Sequence, residues 1–221
     1  MKFLNKVTSV ALVDDHILLR DALASMINTM EGYHVTIVGG NGEDLKQQIF
    51  QKGVPEIVIL DLNMPKMDGF ETAAWLNKNH SDVKILILTM YDSEVTLIRL
   101  LQVGVRGFLK KDAHPNELIF AIKSVVENGY YYSSNTSNQL ANLFANKPNH
   151  KEVLEKIFLN DREIEFLKLA STEMTYKEIA QVLGMNPRSL ENYRESLFTK
   201  LNMKSRVGLA IYAVKHGIVR F

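Results

Sequence analysis

The feature that most constrains the fold of this chain is a regular alternation of short apolar runs with helical patterns. Apolar runs of strand length occupy 9–13, 34–39, 56–62, 84–90 and 106–110, and helical periodicity follows them at 16–29, 43–52, 69–79, 93–103 and 116–128. Strands that alternate with helices of this length form βαβ units, which build a parallel sheet with helices on both faces. The sequence therefore predicts an α/β fold, a doubly wound (βα)5 parallel sheet, in residues 1–130.

The rest of the chain differs in pattern and in charge. Residues 133–150 are rich in Ser and Asn, which predicts a linker at 131–154 with a short helix at 138–144, and residues 155–221 are helical throughout. Residues 1–130 carry 13 Lys and Arg against 16 Asp and Glu, a net charge of −3. Residues 131–221 carry 13 against 9, a net charge of +4. The basic half is therefore a candidate for binding nucleic acid.

Composition argues against several other classes of protein. The chain contains no cysteine, so it has neither a disulfide nor a thiolate metal site, which fits a reducing cytoplasmic location. Its basic and then apolar N-terminus differs from a secretory signal, because the apolar run is short and ends in two aspartates. No apolar run approaches the roughly 20 residues of a membrane-spanning helix, so we expect no membrane partner.

Polar residues follow the predicted strands at one edge of the sheet. Asp14 and Asp15 follow the first strand, Asp61 ends the third, Thr89 ends the fourth, and Lys110 and Lys111 end the fifth. Ligands bind at this edge of parallel sheets. Three carboxylates in one crevice repel each other unless a cation joins them, and an all-oxygen site suits Mg²⁺. A hydroxyl and an ammonium facing that ion would complete a site for a phosphoryl group.

Each of these residues also has an ordinary structural explanation. An aspartate after a strand is often a helix N-cap or a turn residue, and Thr89 also fits a β-branched strand position. The two lysines also fit solvated charges at a sheet edge. Their joint occurrence on four strands at the same edge favours a binding site.

Four motifs carry a resemblance to a known family. LVDDH, ILDLNMPKMDG, LTM and VGVRGFLKKDA, in this order within residues 6–130, resemble the receiver domain of bacterial two-component response regulators. The resemblance implies that Asp61 accepts a phosphoryl group from a phosphohistidine of a sensor histidine kinase. It implies that Mg²⁺ is held by Asp14, Asp15, Asp61 and the backbone carbonyl of Asn63.

The same resemblance assigns the remaining residues of the site. Thr89 would bond a phosphoryl oxygen, Lys111 rather than Lys110 matches the lysine of the family, and Phe108 would change rotamer as Thr89 moves toward the phosphate. A receiver is a phosphoacceptor that catalyses only its own phosphorylation and dephosphorylation, so we do not expect an enzyme. A phosphatase of the haloacid dehalogenase type is the competing interpretation. It needs its nucleophile on the first strand and an acid two residues beyond, whereas Asn63 occupies that position here.

The segment 159–218 is predicted to form four helices. Asn160 and Glu163 suit a capping box at the start of the first helix, whose core face is Ile164, Leu167 and Leu169, near Phe166. The second helix spans about 175–183 and turns Ile179, Ala180 and Leu183 inward. The stretch GMNPRS, with Pro187 as the first residue of the third helix, is typical of a helix-turn-helix join. The fourth helix spans about 205–216, with Ser205 as its cap.

At 100° per residue the third helix, 187–201, separates into two faces. Leu190, Tyr193, Leu197 and Leu201 are predicted to face inward, and Arg188, Glu191, Asn192, Glu195 and Thr199 outward. In a helix-turn-helix protein the outward face of this helix enters the major groove of DNA. The pattern alone fits equally well a helical bundle that binds a protein partner.

LNDREIEFLKL and YKEIAQVLGMNPRSLENYRESLFTKLNMKSR resemble the LuxR-type DNA-binding domain of the NarL/FixJ class of response regulators. The resemblance implies a scaffold helix at 176–184, a recognition helix at 187–201 and a dimerisation helix at 206–216. The active form would be a homodimer on half-sites of double-stranded promoter DNA. The candidate DNA contacts are Lys177, Arg188, Ser189, Glu191, Asn192, Arg194, Glu195, Lys200 and Lys204.

Two acidic residues depart from the pattern of that family. Its members often carry Lys at the positions of Glu191 and Glu195, where acids oppose the attraction to phosphate. A glutamate can still accept a hydrogen bond from cytosine N4, so we expect Glu191 and Asn192 to contact bases while the basic residues hold the backbone. The same acidic pair favours the alternative, a receiver domain joined to a protein-binding output domain.

Overall fold

The fold is described from a computed structural model, which covers residues 7–90, 94–133, 136–137 and 159–219. These residues form two compact units. One is built around a sheet, and the other contains the four C-terminal helices together with residues 94–98. The predicted helix at 138–144 and most of the predicted linker lie outside the described residues. Among the described residues, no helix is both long and apolar enough to cross a membrane.

The part of the chain that contains the sheet alternates strands and helices. Its elements are β1 (Thr8–Val13), α1 (Ile17–Asn28), β2 (Tyr33–Gly39), α2 (Gly42–Lys52), β3 (Ile57–Asp61), α3 (Gly69–Asn79), β4 (Lys84–Thr89), α4 (Glu94–Gln102), β5 (Gly107–Lys110), α5 (Pro115–Asn128) and β6 (Tyr131–Tyr132). The strand order is β2-β1-β3-β4-β5-β6, and every neighbouring pair is parallel. The predicted α/β class, doubly wound parallel sheet and following helical domain are confirmed.

The core explains why these residues form a parallel sheet. All five residues of β3 are buried, because the strand lies in the middle of the sheet. On one face, alternate residues of β1, β3 and β4 pack with α1 and α5 in a cluster that includes Leu12, Ile59 and Leu86. Residues between them, such as Val58 and Ile87, are also fully buried. The continuous apolar runs in the sequence reflect this burial on both faces.

The sequence does not reveal the sixth strand. Tyr131 and Tyr132 pair with Gly107 and Phe108 of β5, where a linker was predicted to begin. Tyr131 is buried in the core cluster, and its hydroxyl donates to Glu117 Oε1 at 2.9 Å. A strand of two residues is too short to show the alternation from which strands are predicted.

The second unit contains α6 (Asp161–Ala170), α7 (Tyr176–Val182), α8 (Pro187–Leu201) and α9 (Arg206–Lys215). Its helix starts follow the predicted capping. Asn160 and Glu163 form a capping box at α6, Pro187 is the first residue of α8, and Ser205 caps α9. The core face of α6 differs slightly from the prediction. Phe166, Leu167 and Ala170 are fully buried, whereas Ile164 and Leu169 are only partly buried against the same cluster.

Candidate functional site

The strand ends bring a group of polar side chains together at the carboxyl edge of the sheet. Asp61 is the last residue of β3, and Asp14 directly follows β1, the neighbouring strand. The two residues are 3% and 1% exposed, and Thr89 at the end of β4 is fully buried. Burial of two neighbouring carboxylates is costly unless opposite charge compensates them. Positive charge is therefore expected beside these two carboxylates.

Lys111 supplies part of that compensation. Its Nζ lies 2.8 Å from Asp14 Oδ2 and 2.9 Å from Asp61 Oδ2, and its side chain is itself nearly buried. Neither carboxylate oxygen accepts a hydrogen bond of good geometry despite this proximity. Lys111 comes directly after β5, and its backbone N–H donates to Thr89 O at 2.9 Å, which holds the backbone of Lys111 beside the end of β4.

The pKa of Asp61 reflects these competing surroundings. Burial raises the pKa of its carboxyl above the usual range, and the negative charge of Asp14 adds to that effect. The ammonium of Lys111, close to the carboxylate and opposite in charge, opposes this rise in pKa, and so does a backbone hydrogen bond from Asn63. Because burial is the largest of these influences, the ionised form of Asp61 is held in a site that disfavours its charge.

The turn after β3 fixes the direction of Asp61. Leu62 N–H donates to Asp61 Oδ1 at 2.8 Å, and Gly69 N–H donates to Leu62 O at 2.9 Å. A Cβ at Gly69 would collide with the backbone of Asp61 and Leu62, so the start of α3 packs directly on this strand end. Asp68 caps α3 through a capping box with Glu71. The sequence NMPKMDG therefore reverses the chain direction after β3 and fixes the orientation of the Asp61 carboxylate.

Four side chains near this edge form a potential metal site. Asp14, Asp15, His16 and Asp61 each offer one ligand atom, and these atoms all lie within 4.8 Å of one another. Two of the buried carboxylate oxygens, Asp14 Oδ2 and Asp61 Oδ2, have no hydrogen bond of good geometry. Such carboxylate oxygens suit Mg²⁺. Asn63, whose carbonyl was predicted as a ligand, is partly buried two residues beyond Asp61.

The other predicted site residues of this unit lie on the neighbouring strands. Asp61 pairs in register with Leu88, so Thr89 is one residue further along β4. Phe108 is buried in β5 opposite Ile87. Lys110 pairs with Thr89 in register and is partly exposed. Sequence reasoning missed His16, although it directly follows the two aspartates, because nothing in the pattern showed which way its ring turns.

The helical unit presents a polar face on α8. Arg188, Ser189, Glu191, Asn192, Glu195 and Thr199 are all exposed, and Leu190, Leu197 and Leu201 are buried. Tyr193 is only partly buried. Lys177 on α7 and Lys204 after α8 are also exposed. The predicted division of α8 into two faces is therefore observed.

Two basic residues among the predicted DNA contacts form ion pairs within the unit itself. Arg194 Nη2 lies 2.7 Å from Glu195 Oε1 and 3.6 Å from Glu191 Oε1, and its guanidinium stands 4.9 Å from the centre of the Tyr176 ring. Lys200 Nζ lies 2.7 Å from both carboxylate oxygens of Glu163, a residue that is only 7% exposed. Lys200 therefore stabilises the start of α6.

Comparison with known proteins identifies both units. Residues 10–123 match the response regulator receiver domain family, and residues 158–213 match the luxR family of bacterial regulatory proteins. The chain belongs to the response regulator family. It is a two-component response regulator in which a receiver domain is joined to a LuxR-type DNA-binding domain, and it regulates transcription. This class is not a classical enzyme, and the luxR match favours DNA over a protein partner for the output domain.

Relatives of this response regulator match along nearly the whole chain. The oxygen regulatory protein NreC of Staphylococcus epidermidis is 30% identical over 217 residues, which cover 96% of this chain and 99% of NreC. Response regulator UvrY of Escherichia coli is 31% identical over 212 residues, 95% of each chain. Among solved structures, RcsB from Salmonella enterica serovar Typhimurium, bound to the promoter rprA, has a TM-score of 0.68 at 20% identity. That match covers 94% of this chain and 98% of RcsB and shows a shared fold.

Proposed function

We propose that Asp61 of this response regulator is the phosphoacceptor and that a sensor histidine kinase is the donor. The observation that carries the proposal is the buried carboxylate of Asp61, at the end of β3 beside Asp14 and 2.9 Å from Lys111 Nζ. A carboxylate oxygen of Asp61 attacks the phosphorus of a phosphohistidine. The new P–O bond forms as the P–N bond breaks, and the electron pair returns to the imidazole nitrogen of the kinase.

The residues around Asp61 have separate roles in this transfer. Burial and the charge of Asp14 raise the pKa of the Asp61 carboxyl, which makes the ionised form a better nucleophile toward phosphorus. The ammonium of Lys111 neutralises charge on the phosphoryl oxygens, and the hydroxyl of Thr89 donates to one of them. Phe108, buried in β5, then changes rotamer as Thr89 moves.

Magnesium completes the proposed site. The ion would be held by Asp14, Asp15, Asp61 and the backbone carbonyl of Asn63, and it supplies positive charge for the phosphoryl oxygens. The clustering of the carboxylate oxygens within 4.8 Å, two of them buried without a hydrogen bond of good geometry, supports this ligand set.

We further propose that phosphorylation of the receiver domain, residues 1–130, controls DNA binding by residues 155–221, with 131–154 as the linker. The added phosphate brings about −1.5 to −2 charges to the site and biases the receiver toward its active conformation. The active form is a cytoplasmic homodimer on promoter half-sites. Arg188, Lys177 and Lys204 hold the phosphate backbone, and Glu191 and Asn192 contact bases.

Phosphoryl transfer is tested directly with the small phosphodonor acetyl phosphate and Mg²⁺. Mass spectrometry of the intact wild-type chain is expected to show one added phosphoryl group, which Asp61→Asn abolishes. Asp82→Asn, at an exposed aspartate before β4, is the matched control and retains the modification. Equal labelling of Asp61→Asn and wild type would show that another residue is the acceptor.

The DNA-binding face is tested by salt dependence. The double variant Arg188→Ala with Lys204→Ala is expected to bind DNA more weakly than wild type does, whatever the DNA sequence. The slope of log affinity against log salt should be smaller by about 2, close to 1 for each lost phosphate contact. Lys123→Ala, at an exposed position of α5, is the control for loss of charge. An unchanged slope in the double variant would place the DNA on another face.

A further inference from the structure

His16 lies among the carboxylates of the candidate metal site. Its Nδ1 forms a hydrogen bond of 2.9 Å with Asp14 Oδ1 and lies 2.9 Å from Asp15 Oδ1 and 3.5 Å from Lys111 Nζ. The same nitrogen is 4.0 Å from Asp61 Oδ2. His16 is the N-cap residue of α1, yet its side chain makes no capping hydrogen bond to that helix. The ring nitrogen instead faces the acids of the site.

The distances around His16 are those of hydrogen bonds and ion pairs, and they also match the spacing of ligand atoms around one small ion. In an octahedron with ligands at about 2.1 Å, neighbouring ligand atoms are about 3.0 Å apart and opposite ones about 4.2 Å apart. The two separations of 2.9 Å from Nδ1 fit neighbouring positions, and the 4.0 Å to Asp61 Oδ2 fits an opposite one. The side chain of His16 is 50% exposed, so water ligands have access to the remaining positions.

We propose that His16 is a metal ligand that converts the acidic pocket into a mixed nitrogen and oxygen site for transition-metal divalent ions such as Co²⁺ and Ni²⁺. The inference rests on the proposed phosphoacceptor site, whose oxygen ligands it extends by one imidazole. Mg²⁺ takes oxygen ligands and binds without His16, whereas imidazole is a strong ligand for the later first-row ions. A neutral imidazole has a lone pair on one ring nitrogen, and Nδ1 offers it when Nε2 carries the proton.

Isothermal titration of the full chain with Mg²⁺, Co²⁺ and Ni²⁺ tests the inference. His16→Ala is expected to weaken Co²⁺ and Ni²⁺ binding by at least about tenfold, because loss of even an outer-shell partner costs that much. Mg²⁺ affinity should be unchanged. His34→Ala is the matched control, since His34 is exposed on β2 and pairs with Ser9 near the start of β1, away from the carboxyl edge. The visible absorption of bound Co²⁺ should differ between wild type and His16→Ala only.

Two results would overturn the proposal. If Co²⁺ affinity falls no more than Mg²⁺ affinity in His16→Ala, the imidazole is not a selective ligand. If all three ions bind the variant more tightly, the ring competes with the ion for the carboxylates. Acetyl phosphate labelling of the same proteins with Mg²⁺ separates this outcome from a failure of the phosphoacceptor proposal. If His16→Ala is still labelled by acetyl phosphate and prefers the three ions in the same order as wild type, only the role of His16 is contradicted.

Discussion

Asp61 carries a charge where the surrounding protein disfavours it. Its carboxylate is 3% exposed and adjoins Asp14, and the ammonium of Lys111 lies 2.9 Å from it. Burial raises the pKa of Asp61 above its value in the unfolded chain. The folded state therefore binds the proton more tightly than the unfolded state does, and ionisation of Asp61 lowers the free energy of unfolding. Stability is sacrificed here for a reactive side chain.

Asp61→Asn is consequently expected to stabilise the receiver domain at pH 7 in the absence of divalent ions. The gain should be about 0.5–2 kcal/mol, the usual size for a single stabilising change. It should vanish below the unfolded pKa of aspartate, about 3.9, where Asp61 is protonated in both states. It should grow as the pH rises from that value toward the higher pKa of the folded state, and it should level off above the folded pKa. Urea denaturation of both proteins across this pH range measures the difference, and a gain that is independent of pH would contradict the electrostatic cause.

At this scale the sequence predicted part of the site and missed part of it. Asp14, Asp61 and Lys111 could be placed together because strand ends of a parallel sheet share an edge. His16 could not, because the direction of its ring depends on the turn between β1 and α1. The contact between Lys200 and Glu163 was missed for a related reason. It joins residues on two helices whose packing is set by the whole core of the helical unit.

At the scale of the elements, helix α6 depends on a residue of α8. Glu163 completes the capping box of α6 and also binds Lys200, so its nearly buried carboxylate has both a backbone N–H and an ammonium as partners. A buried carboxylate that loses its counter-charge is costly. Lys200, predicted as a DNA contact, thus has a structural partner, whereas Lys204 is exposed.

Replacing Lys200 with Met is expected to destabilise the helical unit by about 2–4 kcal/mol, because Glu163 remains buried without its ion pair. Lys204→Met provides the control at a nearby exposed position and should change stability by less than about 0.5 kcal/mol. Helical circular dichroism during urea denaturation follows the unfolding. If the two variants are equally stable, the contact between Lys200 and Glu163 contributes nothing to folding. For DNA binding the order should be reversed: when both proteins are folded, Lys204→Met should weaken binding more than Lys200→Met.

At the scale of the whole molecule, the sheet and the four C-terminal helices each pack around an apolar cluster of their own among the described residues. The core of the sheet unit is built from residues between Val10 and Tyr131, and the core of the helical unit from residues between Leu159 and Ile218. The proposed metal ligands all belong to the first unit. The order of the elements was predictable from periodicity, because each unit keeps one consistent pattern over its length. Strand β6 was not, because two residues show no periodicity.

Mg²⁺ is therefore expected to stabilise one unit alone. Differential scanning calorimetry of the full chain should show two transitions, and Mg²⁺ at 100 times its dissociation constant should stabilise the receiver by about 2.7 kcal/mol. The unfolding temperature of the helical unit should not change on addition of Mg²⁺. Asp61→Asn provides the control, because loss of a metal ligand should reduce the rise in the receiver's unfolding temperature that Mg²⁺ causes. A helical transition that moves as far as the receiver transition would contradict separate unfolding.

On the proposed DNA-binding face, Arg194 is paired with Glu195 and Glu191, which would influence how such a regulator searches DNA. A recognition helix that neutralises its own guanidinium gains little from arbitrary phosphates, since nonspecific affinity comes from cations that displace counterions. Fewer molecules are then held on irrelevant DNA, and a larger share stays free to sample promoters. A modest number of copies per cell would then suffice to occupy a few operators, with selectivity obtained by weakening the wrong contacts more than by strengthening the right ones.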